Sequence, residues 1–476
     1  MRTPEFDLCV IGGGAAGLVV AAGGATLGAK VALVEKHALG GDCLYYGCVP
    51  SKTLLSSAKA AQLMRGARHF GIPAHQPQIQ LAEVMQRVAS VIKGIEPYDS
   101  PERFRALGVE VIFGEGKFTD ALTFSVNQRA ITAKKFVIAT GSRPAIPPLP
   151  GLDAVPYLTN ETVFSLRENV PSLMVLGAGP IGCELAQAFC RLGSRVMAID
   201  VAPQILPAED ADIAQVVVDK LKHEGAEFYL GVKPLRIEAG AGELRLNLKQ
   251  PSGAETTLEA SHLLVATGRK ANVENLGLDA AGVTLQNGLV ATDARLRTTN
   301  RRIYACGDVA TSYRFTHLAE HQAGVVLRNA LFHLSAKIET RTVPWCTFTD
   351  PEVARVGVSE REARAQNLPH EIYTFPFADI DRARTDAVET GFAKIIADPK
   401  GRLLGAAIAG PHAGELIHEY ALALAKRMKL SDISSVIHIY PTLAQINRRA
   451  ADARLKAKFS PGAKKWMKRI FGLRGA

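Results

Sequence analysis

The sequence predicts an α/β fold carrying two Rossmann-type dinucleotide-binding units, and three observations predict it. Two glycine fingerprints, Gly12-x-Gly14-x-x-Gly17 and Gly177-x-Gly179-x-x-Gly182, each follow a short apolar run and lead into a helical stretch. In both copies an acidic residue, Glu35 or Asp200, stands 23 positions after the first glycine (12 to 35, 177 to 200). With 476 residues the chain is too long for one core and suggests about three domains.

In the first copy Leu8–Ile11 reads as a buried strand, the glycines turn into a helix, and Val31–Val34 forms the strand that ends at Glu35. In the second, Leu173–Leu176 leads into the glycines and Arg195–Ile199 ends at Asp200. Glycines at these places allow a tight turn and close approach of the backbone to a pyrophosphate. The helix N-terminus favours that negative charge, and the acid takes the adenosine ribose hydroxyls. A lone fingerprint is as easily a flexible turn; two in the same context with the same offset are not. An acid at position 200 would repel a 2′-phosphate, so NAD(H) is expected there in preference to NADP(H). Arg195 begins the same strand, too far back to clamp a phosphate.

Composition sets the surroundings. Apolar and charged fractions of 47% and 21% are those of a soluble globular protein. The nearly uncharged run from Leu8 to Ala29 behind Arg2 resembles a secretory signal, but Glu5 and Asp7 flank it and seven glycines break it. No other segment reads as a membrane span. The seven cysteines are odd in number and mostly in apolar surroundings, which argues against a secreted disulfide framework and for the cytoplasm. Of the net charge of +10, eight cations fall in residues 454–476, which carry no acid, leaving about +2 for the body. The folded domains therefore give no support for nucleic-acid binding.

After the first unit comes Gly40-Gly41-Asp42-Cys43-Leu44-Tyr45-Tyr46-Gly47-Cys48-Val49-Pro50-Ser51-Lys52. Pro50 suits the first turn of a helix running through Leu54 to Met64, which puts Cys48 at a helix N-terminus, where the dipole and nearby Lys52 favour a thiolate. Residues five apart on a regular helix point in different directions, so pairing Cys43 with Cys48 needs a distorted turn, which Gly47 can supply. On spacing alone, two structural cysteines or a metal site remain open readings.

This stretch, CxxxxCxPSK between dinucleotide fingerprints, resembles the class I flavoprotein disulfide reductases, which include dihydrolipoamide dehydrogenase, glutathione reductase and mercuric reductase. The likeness runs from Phe6 to about Ala450 and includes Ala139-Thr140-Gly141-Ser142-Arg143-Pro144, its echo Val265-Ala266-Thr267-Gly268-Arg269, and Ile303-Tyr304-Ala305-Cys306-Gly307-Asp308. It implies FAD at the first fingerprint and NAD(H) at the second, with Thr140, Gly141 and Gly268 against the cofactors and Asp308 on the ribityl chain of the flavin. It also implies a Cys43–Cys48 redox disulfide. Cys48 would face the flavin, and Cys43 would meet the substrate. Lys52 would pair with Glu184 beside the nicotinamide. The implied division is 1–150 with 271–340 for FAD, 151–270 for NAD(P)H, 341–453 for an α+β dimer-interface domain, and a basic tail over 454–476. His317 is read as packing.

One departure bears on the reaction. The His-Pro-Thr-x-x-Glu motif of the family's interface domain serves the partner subunit as acid–base; here it reads Tyr440-Pro441-Thr442-Leu443-Ala444-Gln445. Tyrosine, with a reference pKa near ~10, does not shuttle protons at neutral pH as imidazole does, and glutamine cannot stabilise an imidazolium. Mercuric reductases carry tyrosine at this place, which suits a soft metal ion that binds thiolates. Their common terminal cysteine pair has no counterpart, since no cysteine follows Cys346. His438 is a candidate substitute base, and Cys346 reads as a strand cysteine. The expectation is a homodimer passing electrons from NAD(P)H through FAD and the cysteine pair to a disulfide-type compound or a soft metal ion, nearest the mercuric reductase branch. The alternatives are a dihydrolipoamide dehydrogenase-like activity, or a relay docking to a membrane or acidic protein through the tail. In that tail, cations interleave with Trp466, Met467, Ile470 and Phe471 after the break Ser460-Pro461-Gly462.

Overall fold

The computed structural model describes residues 3–240, 242–458 and 461–475. Strand Phe6–Ile11 is apolar at nearly every position because it is covered on both faces: Leu8, Cys9 and Val10 are fully buried. It lies parallel to Val31–Glu35 on one side and Arg129–Ile138 on the other. Helix Ala15–Thr26 makes the crossover. The sheet runs Val109–Phe113, Val31–Glu35, Phe6–Ile11, Arg129–Ile138, Thr123–Val126, Gly116–Asp120, and Ile303–Ala305 joins it on Arg129–Ile138. The last of these strands arrives after the whole second unit, so this domain is discontinuous in sequence.

The chain leaves the first domain through Ser142–Pro144 and returns through Arg269–Ala271, and these two segments pair antiparallel. The Ala-Thr-Gly stretch and its echo thus end in a shared two-stranded crossing. Between them stands an all-parallel sheet of Glu227–Leu230, Arg195–Asp200, Ser172–Leu176 and His262–Val265. A three-stranded antiparallel sheet, Lys233–Ala239, Leu244–Lys249 and Glu255–Ala260, flanks it.

The C-terminal domain is a five-stranded antiparallel sheet in the order Pro344–Thr347, Glu352–Gly357, Leu403–Gly410, Phe392–Ala397, Glu371–Pro376, with Ala413–Ala425 and Gln445–Lys458 as its main helices. The architecture is therefore the expected pair of Rossmann-type α/β domains with an α+β C-terminal domain. The second and third domains share apolar core: Cys183, Val217 and Ile213 pack with Val353, Ala407 and Ala409. Beside this seam Lys394, only 2% exposed, sits 3.2 Å from Asp210, 2.9 Å from Asp212 and 2.6 Å from Glu360.

The expected tail boundary at 454 needs correction. Helix Gln445–Lys458 runs through that position, and Arg454 is buried, with Nε 3.3 Å from Glu371 Oε2 and Nη2 donating to the Pro399 carbonyl at 3.0 Å. Burial of a paired guanidinium ties this residue to the body. Of the expected break, Ser460 lies outside the described residues, while Pro461 opens a helix, Pro461–Phe471, as its fixed φ permits at a first helical position. Among the described residues no helix is long and apolar enough to cross a membrane.

Candidate active site

A cleft of about 2010 Å³ lies where the three domains meet. At its first-domain end the glycine geometry decides what it can hold. Gly12 has φ +105°, and a Cβ there would stand 2.4 Å from the Ala139 carbonyl oxygen; a Cβ on Gly17 would stand 1.8 Å from that of Gly12. These two are glycine because chain meets chain. Gly14 differs, since a Cβ would find nothing nearer than 4.0 Å, so its backbone at the N-terminus of Ala15–Thr26 borders open space. The second unit repeats the pattern: Gly177 and Gly182 are closed off at 2.4 and 1.9 Å, and Gly179 has nothing within 4 Å. An open backbone at the start of a helix, in both units, fits a pyrophosphate. Glu35 accepts from the backbone N–H groups of Gly13 (2.6 Å) and His37 (2.8 Å), and Asp200 from Ala178 (2.6 Å) and Ala202 (2.8 Å). Each acid is thereby fixed over its own fingerprint.

Further along, Thr140 and Asn272 exchange hydrogen bonds at 2.7 and 2.9 Å, and Gly141, at φ +68°, accepts from the Asn272 amide. Asp308 accepts from Ser142 Oγ at 2.6 Å, and burial raises its pKa above the ordinary carboxylate value. Gly268 stays outside the cleft lining; at φ +137° its carbonyl accepts from Ala145 at the crossing.

The cysteine pair sits on a break between two helices. Gly41–Tyr45 carries Cys43, Gly47 interrupts, and Cys48 is the first residue of Cys48–Arg65. A side chain at Gly47 would meet Asp42 Oδ2 at 2.9 Å, so the turn that brings the sulfurs together leaves no room for one. The two thiols are free and hydrogen-bonded to each other. That bond from Cys43 lowers the Cys48 pKa to about 6, against desolvation in the cleft and with help from Thr316 and Lys52. Cys43 is pushed well up, first by the same hydrogen bond. The first proton therefore leaves Cys48. Thr316 Oγ1 stands 3.5 Å from its sulfur.

Lys52, one turn along that helix, reaches Glu184 of Pro180–Arg191 with Nζ 2.8 Å from Oε2. Glu184 is 5% exposed, and its other oxygen accepts from the Phe348 amide at 2.9 Å. Lys52 also lies 4.4 Å above the Phe348 ring. One ion pair thus ties the cysteine helix to the helix of the second fingerprint and to the C-terminal domain.

Sequence reasoning missed a second tie. Arg269 Nη2 lies 2.8 Å from Asp42 Oδ1, and its Nε donates to Ser142 Oγ at 2.7 Å. The residue before Cys43 is thereby linked to the Asp308 carboxylate through the crossing strands. Asp42 beside a cysteine was the only available signal, since its partner comes from more than two hundred positions away.

The structure gathers Gly12, Gly14, Glu35, Cys43, Cys48, Lys52, Thr140, Gly141, Glu184 and Asp308 around the cleft; Gly17, Gly177, Gly179, Gly182 and Asp200 lie outside its lining. Tyr440 stands apart. It is 66% exposed on the C-terminal domain, and its hydroxyl donates to Asp381 at 3.1 Å, which raises its pKa. His438 offers no replacement within the chain: Nε2 faces Glu419 at 3.0 Å and Nδ1 the Val436 carbonyl at 3.0 Å. His317 packs, stacked on Phe315 with Nε2 on the Pro344 carbonyl. Cys346 lies in strand Pro344–Thr347 with its pKa raised by burial. Among the described residues no group of His, Cys, Asp and Glu forms a metal site.

Comparison with known proteins agrees with this construction. The model of the pyridine nucleotide-disulphide oxidoreductase family matches residues 6–323, and that of the family's dimerisation domain matches 343–451. The chain belongs to this family. It is 33% identical to a mercuric reductase of Staphylococcus aureus over 94% of this chain and 82% of the relative. It is 37% identical to a dihydrolipoyl dehydrogenase of Chlamydia trachomatis serovar D over 93% of this chain and 95% of the relative. Among solved structures it is similar to LpdA from Mycobacterium tuberculosis, with a TM-score of 0.86 and 28% identity over 94% of this chain and 99% of that one. The two fingerprint domains are accordingly FAD- and NAD(H)-binding modules, and the chain is a FAD- and NAD(P)H-dependent disulfide oxidoreductase. The likeness to mercuric reductases and to dihydrolipoyl dehydrogenases is of similar strength, so the expected leaning toward the mercuric branch is withdrawn.

Proposed function

We propose that this protein is an NADH-driven reductase of a small disulfide-type acceptor, working through Cys43 and Cys48 as a homodimer. The observation that carries the reading is the cysteine pair itself: one thiol held near pKa 6 and the other held protonated, on a helix whose Lys52 pairs with Glu184 of the second fingerprint helix. FAD, when bound, supplies the two-electron exchange between nicotinamide and sulfur. In this reading Gly12, Gly14, Glu35, Thr140, Gly141 and Asp308 hold FAD. Gly177, Gly179, Gly182 and Asp200 hold the coenzyme, and the Asp200 charge favours NADH.

The remaining steps belong to the chain's own groups. Cys48 holds negative charge at neutral pH. Lys52, fixed by Glu184, keeps a cation beside it. Cys43 retains its proton until the acceptor is in place, then forms the bond to the acceptor's sulfur, and the acceptor's other sulfur leaves with a proton. The Cys48 thiolate next attacks Cys43, the second acceptor sulfur leaves as a thiolate that takes a proton from water, and the enzyme's disulfide is restored.

A second reading, reduction of a soft metal ion, is supported by Tyr440 in place of histidine and by a thiolate that needs no base to bind such an ion. Anaerobic NADH titration of the holoenzyme tests the shared part. Electron uptake beyond what the flavin alone accepts is expected, and uptake equal to the flavin's refutes the cysteine route. Turnover with NADH of lipoamide, other small disulfides and Hg(II) then separates the two readings.

A further inference from the structure

Helix Pro461–Phe471 is the part of the fold that the redox reading leaves unused. None of its residues is buried, and no acidic residue follows Asp452. At 100° per residue, Trp466, Met467, Ile470 and Phe471 fall within an arc of roughly 140°, and Lys464, Lys465, Lys468 and Arg469 fill another arc of about the same width opposite. The two sets do not mix. Trp466 and Phe471 are 62% and 68% exposed, and Leu473 and Arg474 extend the same composition past the helix end.

Segregation of this kind has a physical consequence. An exposed tryptophan, isoleucine and phenylalanine side by side lose hydration favourably only against an apolar phase, and the cations behind them are drawn to negative charge. Apart from those cations, the indole N–H of Trp466 is the one polar side-chain group of the helix, so the surface offers few groups that would read a shaped, directional protein groove. Long lysine side chains can rise from a helix lying in the interface to the headgroup level, and tryptophan is at home there.

We infer that Pro461–Phe471 is an interfacial anchor that lays its Trp466–Phe471 face into a bilayer surface carrying anionic headgroups. It places the reductase at that surface, an interaction independent of which acceptor the cysteines reduce. In a homodimer two such helices act together, and the second binds at high effective concentration once the first is seated.

The test uses full-length holoenzyme and vesicles of phosphatidylcholine alone or mixed with phosphatidylglycerol. Sedimentation with the mixed vesicles, weakened by salt, and little with phosphatidylcholine alone is expected. A variant carrying Trp466→Ser, Ile470→Ser and Phe471→Ser should bind roughly tenfold or more weakly. One carrying Lys464→Glu, Lys465→Glu, Lys468→Glu and Arg469→Glu should bind weaker by on the order of a hundredfold or more. Both should oxidise NADH with an artificial acceptor at the unaltered rate, which shows that they fold. The protein has two tryptophans, so emission should shift to the blue on vesicle addition in a Trp345→Phe background, where Trp466 alone reports. Equal sedimentation of all three proteins overturns the proposal. So does binding to polyglutamate without binding to the mixed vesicles, which would mark an acidic protein as the occupant.

Discussion

Replacing Cys43 by alanine should make Cys48 a weaker acid. The hydrogen bond from Cys43 is the largest influence on Cys48, whose pKa is about 6 instead of 9.0; Thr316 and Lys52 assist, and desolvation opposes them. In Cys43→Ala the largest lowering influence goes while the opposing one stays. The proton affinity of Cys48 should therefore rise at least about tenfold, a factor of ten per pH unit. A depressed pKa means that the thiolate persists above about pH 6 and is lost as pH falls through that value; in the variant the loss begins at higher pH. Thiolate absorbance of the reduced protein across the neutral range reads this directly. Burial pushes Cys9, Cys183 and Cys346 upward and holds Cys190 at about 11 and Cys306 at about 12, so none competes for the signal. Cys43→Ser keeps an O–H donor and should retain most of the depression. A midpoint in Cys43→Ala equal to that of the parent would refute the reasoning.

Other consequences are as direct. Asp200→Asn should raise the ratio of kcat/KM for NADPH over NADH by roughly tenfold, measured with both coenzymes and one acceptor, because the repulsion of a 2′-phosphate is removed. Lys394→Met leaves Asp210, Asp212 and Glu360 without their shared cation at a buried seam and should lower stability by about 3–5 kcal/mol in denaturant unfolding. Burial raises the Asp210 pKa, but backbone N–H groups and Lys394 outweigh it and leave it below 3.8. Its contribution is therefore present above that pH and lost as pH falls through the lowered value, and in Lys394→Met this acid limb should be shallower. Restoring the family's acid–base pair with Tyr440→His and Gln445→Glu together should increase dihydrolipoamide turnover roughly tenfold or more, whereas an unchanged rate would show that the partner subunit does not use this position.

Both glycine fingerprints, the acids 23 residues on and the cysteine pair were legible because each rests on local chain geometry: a turn, a helix start, a strand end. Lys52–Glu184 was legible only through resemblance, because the two are 132 positions apart and nothing in either neighbourhood names the other. The Asp42–Arg269 tie and the position of Thr316 were not legible at all. Arg269 arrives on the crossing strand that returns from the second domain, and Thr316 follows Ile303–Ala305, which completes the first sheet only after that domain; both bring distant segments to the cysteine loop. Arg454 was misread for a related reason. Its basic neighbours Lys456 and Lys458 are exposed, so composition grouped it with them, while the helix turns its guanidinium inward to Glu371 and the Pro399 carbonyl.

The open half of the chemistry is the exit of electrons, and the thiols themselves constrain it. Cys43 keeps its proton, so attack on a disulfide from that sulfur requires a base. Within the protomer Tyr440 is bound to Asp381 and has its pKa raised, and both nitrogens of His438 are engaged. Ile437 and Ile439 are 92% and 77% exposed beside Tyr440, and a second copy of the chain would bring the same tyrosine. With Cys43 held protonated, turnover of a disulfide acceptor should keep rising with pH above neutrality. A soft cation displaces the Cys43 proton by forming a bond to sulfur, so its reduction should level off once Cys48 is ionised, above about pH 6. Rates for lipoamide and Hg(II) measured across the same pH range, with coenzyme saturating, distinguish the two. Parallel profiles would mean that the deprotonation of Cys43 does not limit either reaction.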